Sequence, residues 1–190
     1  MTLRIDHAPD SVDREVKAGL ASRFSTLRLM GLQEPIVISR PIMLCSFDVP
    51  SEGPPVFVLQ AARRWEYFVT GTDGIALASV RQTGRRCDFG GITGNETARA
   101  ILAAVILADA KLGTQRRSFR ARLYECRAAR LLSLVLEPRS GSAVFANIID
   151  NHRIAPQDLA LVTGLETLRE VAKARLDEAD RTAPLAGKLL

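Results

Sequence analysis

Cysteine is scarce in this chain, histidine scarcer still, and no long apolar run occurs. The three cysteines, Cys45, Cys87 and Cys126, are odd in number and widely spaced. That pattern excludes a disulfide framework and fits thiols buried in a reducing compartment. None of them forms a C-x-x-C pair, and the 2 histidines, His7 and His152, supply no ligand spacing. The expectation is therefore no metal and no cofactor. The longest apolar run, residues 100–108, is far shorter than the roughly 20 residues that cross a bilayer. The first residues, MTLRIDHAPDSVDREVKAGL, lack the apolar core of a secretory signal. A soluble, cytoplasmic protein with no membrane contact is expected.

Lysine is also sparse. It stands at positions 17, 111, 173 and 188, which leaves arginine as 22 of the 26 basic residues. Formal net charge is +5 and the isoelectric point about 9.6. That balance permits polyanion binding without requiring it. Hydrophobic residues make up 47% of 190 residues, enough to bury a core. The length suits one α+β domain over residues 1–181, with a hinge at SEGPP (51–55) and a loose tail over 182–190.

Residues 12, 16, 20, 24 and 27 are apolar at near-helical spacing, which predicts a first helix capped by Asp10 or Ser11 and stopped at Gly31. Strands are expected over 36–39, 42–49 and 56–70. The GTDG turn (71–74) then returns the chain in a hairpin strand over 75–80. A central helix over about 96–112 precedes strands over 119–126, 131–137 and 143–149. Pro156 opens a short helix, and Thr163 with Glu166 has capping-box spacing before a last helix. Strands joined by hairpins predict a mainly antiparallel sheet with helices packed on one face.

The stretch FGGITGNET (89–97) places glycines ahead of the central helix. A phosphate loop would add lysine or G-x-G-x-x-G spacing, and neither is present. The glycines are expected to form a tight strand-to-helix turn, with Thr93 or Asn95 as cap. Catalysis has one candidate constellation: Cys87, beside Arg85 and Arg86, with His152 and Asp150 of IIDNHR. Carboxylates such as Asp48, Asp73 and Asp88 are isolated. Glu66 alternates with Trp65 and Tyr67 and reads as the polar face of a strand.

Arginine and aromatic residues interleave in two predicted strands: Arg63, Arg64 and Trp65 in one, Arg120, Arg122 and Tyr124 in the other. Arg85 and Arg86 lie between them in sequence. On neighbouring strands they would form a stripe able to neutralise phosphates and stack bases. No named nucleic-acid motif accompanies it. Three functions are ranked accordingly. The first is a non-catalytic binding or adaptor protein acting through a sheet face or an exposed helix, with a protein partner or a second copy of itself. The second is a nucleic-acid binder using the stripe. The third is a small enzyme with a cysteine nucleophile.

Overall fold

A computed structural model describes residues 2–49, 62–112, 118–150, 153–154, 162–163 and 165–182. The hinge at 51–55, the first part of the strand expected over 56–70, Arg116, Arg117, His152, Pro156 and residues 183–190 lie outside them.

The chain opens with β1 (Thr2–Arg4), α1 (Asp10–Ala21) and α2 (Phe24–Leu29). The single predicted helix is therefore two. Its break at Ser22 and Arg23 has a local cause: Ser22 Oγ donates to the Gly19 carbonyl at 2.9 Å, and Arg23 leaves helical geometry. Gly31 does stop the second helix: with φ +78° it lets the Leu32 N–H reach the Leu27 carbonyl at 2.9 Å. Next come β2 (Val37–Ile38), β3 (Ile42–Ser46), β4 (Ala62–Thr70), β5 (Ile75–Thr83) and β6 (Arg86–Thr93). The GTDG hairpin forms as expected, pairing Thr70 with Ile75. Then follow α3 (Asn95–Leu112), β7 (Ser118–Cys126), β8 (Leu131–Pro138) and β9 (Val144–Asp150). The last elements are β10 (Arg153–Ile154), β11 (Val162–Thr163) and α4 (Leu165–Thr182).

The strands make one large, mostly antiparallel sheet in the order β10-β9-β8-β7-β3-β4-β5-β6. Two antiparallel meanders, β3 to β6 and β7 to β9, meet back to back through the parallel pair β3–β7. Each meander is preceded by a helix.

This arrangement corrects the expectation of helices on one face. Side chains alternate along a strand, and the buried ones sort into two cores. Met43, Cys45, Trp65 and Tyr67 join the first, with Val12 and Val16 of α1 and Leu168 of α4. Ile42, Leu44, Phe68 and Leu77 join the second, with Ala98, Ile101 and Ala104 of α3. A two-fold axis along the central strands would exchange the meanders and carry the helix of one to the opposite face of the other. That is where α1 and α3 lie. The sheet is thus covered on both sides, and β8 is buried at six successive positions, Leu131 to Leu136.

Gly90 and Gly91, expected in a tight strand-to-helix turn, lie within strand β6. Ser79 pairs with Gly91 and Val80 with Phe89, so Gly90 is the extra residue of a β-bulge and Gly91 takes φ +133°. Only Gly94 separates β6 from α3.

Candidate functional site

The bulge matters because Ser79, opposite it, reaches across the sheet to Glu66. Ser79 Oγ donates to Glu66 Oε2 at 2.8 Å, and Glu66 is 2% exposed. The expectation of a polar strand face for Glu66 is therefore overturned. Its side chain lies on the α3 side, opposite in direction to Trp65 and Tyr67. Burial pushes the Glu66 carboxyl above the usual range, and the Arg64 charge with the Ser79 hydrogen bond opposes that push only in part. Arg64 Nε stands 2.6 Å from Glu66 Oε1.

Glu66 and Arg64 stand at a cleft of about 340 Å³ between the central strands and the first half of α3. Leu44, Leu77, Leu123 and Leu132 form its apolar wall, and Ile101 and Thr97 of α3 close it from above. A chain of charges crosses it: Arg64 is 3.6 Å from Glu125, and Arg127 is 3.1 Å from the same carboxylate. Arg130, in the turn between β7 and β8, also lines the cleft. An apolar concavity of this size with a few convergent polar groups is the usual form of a small-molecule site. Two other hollows are less suited. One, beside Tyr67, is lined by Asp6, Asp13, Lys17 and Arg40 and has few apolar walls. The other is a groove along α1, α2 and residues 34–38 with Glu34 as its sole charged lining residue.

The predicted arginine and aromatic stripe is divided by the same alternation. Arg63, Arg120, Arg122 and Tyr124 belong to the α1 side, Arg64 to the α3 side. Arg85 and Arg86 sit at the exposed β5–β6 turn, where Arg86 pairs with Asp88 at 2.9 Å. Arg120 and Arg122 both reach Asp6, at 3.1 and 3.2 Å, and Arg122 reaches Glu137 at 3.4 Å. Burial works against the Arg122 charge, but Glu137 and Asp6 outweigh it and hold the guanidinium protonated. Neither aromatic offers a stacking face: Trp65 is 1% exposed and donates to Gln82, and Tyr124 is 6% exposed and donates to Glu137 at 2.9 Å. Arg64, Arg86, Arg120 and Arg122 thus hold the fold's own carboxylates, and the named arginines do not form one continuous row.

Cys87 and Asp150 do not meet. Cys87 is on edge strand β6 and Asp150 on β9, six strand spacings away. At ~4.8 Å per spacing that is about 29 Å. Cys87 Sγ lies 3.4 Å from Ser11 Oγ, and Asp150 is held by Arg175 through two contacts of 2.6 and 2.8 Å. Burial raises the thiol pKa of Cys45 and Cys126, which makes both poor nucleophiles. No group of three His, Cys, Asp or Glu side chains able to hold a metal occurs among the described residues. None of their helices is long and apolar enough to cross a membrane.

Sequence reasoning passed over Glu125, Arg127, Arg130 and the cleft itself. The cleft joins residues of seven strands and one helix, and no local signal marks it. Comparison with known protein families, with characterised proteins and with solved structures found no match.

Proposed function

We propose that this chain is a non-catalytic binding protein that receives a small ligand on the α3 face of its sheet, in the cleft floored by Glu66. One observation carries the reading. The buried Glu66 carboxylate and the half-buried Arg64 guanidinium meet in a hollow walled by Leu44, Leu77, Leu123 and Leu132. A buried ion pair contributes little to stability compared with apolar packing of the same volume. Its position on a cavity gives it a use in recognition instead.

The adaptor side of the proposal rests on the groove along α1 and α2, where Phe24 is 41% exposed and leaves an apolar wall for a protein partner. Cytoplasmic residence is supported by the three free cysteines, which suit a reducing compartment.

The test is a titration with 1-anilinonaphthalene-8-sulfonate, a dye that brightens in apolar sites. Thr97→Trp places an indole in the cleft from a half-buried helix position. Saturable dye binding in the wild type that Thr97→Trp abolishes, with its melting temperature retained, is the expected result. Dye binding unchanged in a folded Thr97→Trp variant would put the ligand site elsewhere.

A further inference from the structure

We propose that the cleft takes a small amphipathic anion, an apolar body with one carboxylate, and that Arg130 receives the carboxylate. This rests on the reading of the cleft as a ligand site and names what enters it.

The first argument is charge. Glu66, Arg64, Glu125 and Arg127 form a continuous chain at 2.6, 3.6 and 3.1 Å. Two carboxylates and two guanidiniums cancel. Arg130 lines the same cleft and pairs with no carboxylate among the described residues. Three arginines less two glutamates leave the cleft with at least one positive charge, a proton on Glu66 only adds to it, and Arg130 is the guanidinium that no carboxylate meets. An anion entering there meets a guanidinium with no competitor, whereas an ammonium is repelled.

The second argument is backbone geometry and is independent of charge. Cys126 pairs with Leu131, so residues 127–130 form the hairpin turn. The Arg130 N–H closes the turn on the Arg127 carbonyl at 3.0 Å. Arg130 is the only non-glycine at positive φ, +52°, among the described residues. Glycine or asparagine adopts that conformation without the steric penalty an arginine bears. Elsewhere the fold meets the same need with glycine, at Gly31, Gly84, Gly91 and Gly141. An arginine kept where the turn favours glycine is a strained residue at a cleft mouth, which is where strain accompanies function.

The third argument is size and wall. Leu131 and Leu132 follow Arg130 directly and line the cleft. A head group on Arg130 therefore has apolar wall at once beneath it. The volume of about 340 Å³ corresponds to roughly eleven water volumes at ~30 Å³ each. That admits a short chain or a single ring. Thr97 adds a hydroxyl at the helix side for the second carboxylate oxygen.

The experiment titrates the full chain with sodium hexanoate, hexan-1-ol and hexylamine, which share a body and differ in head group. Calorimetry reads affinity. Hexanoate is expected to bind about ten-fold or more tightly than hexanol, as a charge-assisted contact allows, and hexylamine more weakly than either. Arg130→Gly should bring hexanoate down to the hexanol level while its melting temperature stays level or rises, because glycine relaxes the turn. Arg130→Lys should keep part of the preference. Equal binding of hexanoate and hexanol to the wild type would overturn the assignment to Arg130 and leave the cleft standing. So would a hexanoate preference that survives Arg130→Gly. Absence of binding by all three, or binding that Thr97→Trp leaves intact, would overturn the cleft and the inference together.

Discussion

Replacing Gly19 by alanine should destabilise this protein, although the same change in most helices stabilises. Gly19 is buried in the last turn of α1. On an open helix face, glycine to alanine gains about 1 kcal/mol. Here a Cβ would fall inside the ring of Phe89 on β6, against its Cγ and Cδ2. Those atoms belong to the root of the ring, so a small tip movement does not clear them. If the ring stays, overpacking costs about 1–3 kcal/mol. If it leaves, the half-buried phenyl forfeits about half of the 1.5–3 kcal/mol that full burial contributes. It also loses Arg23, whose guanidinium lies 4.6 Å above its centre, a contact worth about 0.5–1 kcal/mol at an exposed site. The first route thus costs about 1–3 kcal/mol and the second about 1.3–2.5, each centred on about 2, before the helix gain is credited. The expected net loss is about 0.5–1.5 kcal/mol. Urea unfolding followed by the single tryptophan, Trp65, 1% exposed in the fold, measures it directly. Adding Phe89→Ala to Gly19→Ala should turn the alanine from a loss into a gain, with a coupling energy above about 1 kcal/mol. A Gly19→Ala protein as stable as the wild type, with Phe89 intact, would refute the packing of α1 on β6.

Three further outcomes follow from the titrating groups. Glu66 has a raised carboxyl pKa in the fold, so the native state holds a proton that the unfolded chain has released. Stability should be full below the ordinary value of 4.5 and fall as pH rises through the folded pKa, with a slope of at most about 1.4 kcal/mol per pH unit. Glu66→Gln should flatten that slope in urea unfolding at several pH values, and an unchanged slope would place its origin elsewhere. Both tyrosines of the chain, Tyr67 and Tyr124, are held far above their ordinary value of 10.0, first by burial and then by Asp13 and Glu137. Tyrosinate absorbance should therefore appear only together with alkaline unfolding, and stability should fall as pH rises above about 10. A tyrosinate band in the folded protein would contradict the burial. Tyr67→Phe removes a 2.6 Å bond to Asp13 and should cost about 1–2 kcal/mol, discounted because Asp13 is half-exposed. Iodoacetamide should label half-buried Cys87 before Cys45 and Cys126, whose burial raises their thiol pKa values. Equal rates would mean that the first core, which holds both Cys45 and Cys126, opens as readily as the edge.

Which parts of this architecture could be read from residue order alone depends on the range of the interactions that create them. The β4–β5 hairpin was legible because its turn and its alternation are local. The strand β6 was not, since adjacent Gly90 and Gly91 weaken it and its existence depends on β5 beside it and α1 above it. The parallel pairing of β3 with β7 has no local mark at all, and it sends α1 and α3 to opposite faces. Arg130 was invisible for a similar reason: its identity is ordinary in sequence and anomalous only at its φ. The arginine stripe is different, because period two already contained its correction. Arg63 and Arg64 are consecutive on one strand and must point to opposite faces, so no flat sheet could present both to one ligand. The same parity places Arg64 with Glu66, and through the β4–β5 register with Ser79 across the strand pair. Burial then selects among these residues. On the α1 side, Asp6 and Glu137 neutralise Arg120 and Arg122 and complete a structural network, while Arg63 lies exposed on the surface. On the α3 side, the carboxylates are used up within the chain of charges and one guanidinium is left over. That excess, at the exposed mouth of an apolar cavity, is what distinguishes a site from a surface in this fold.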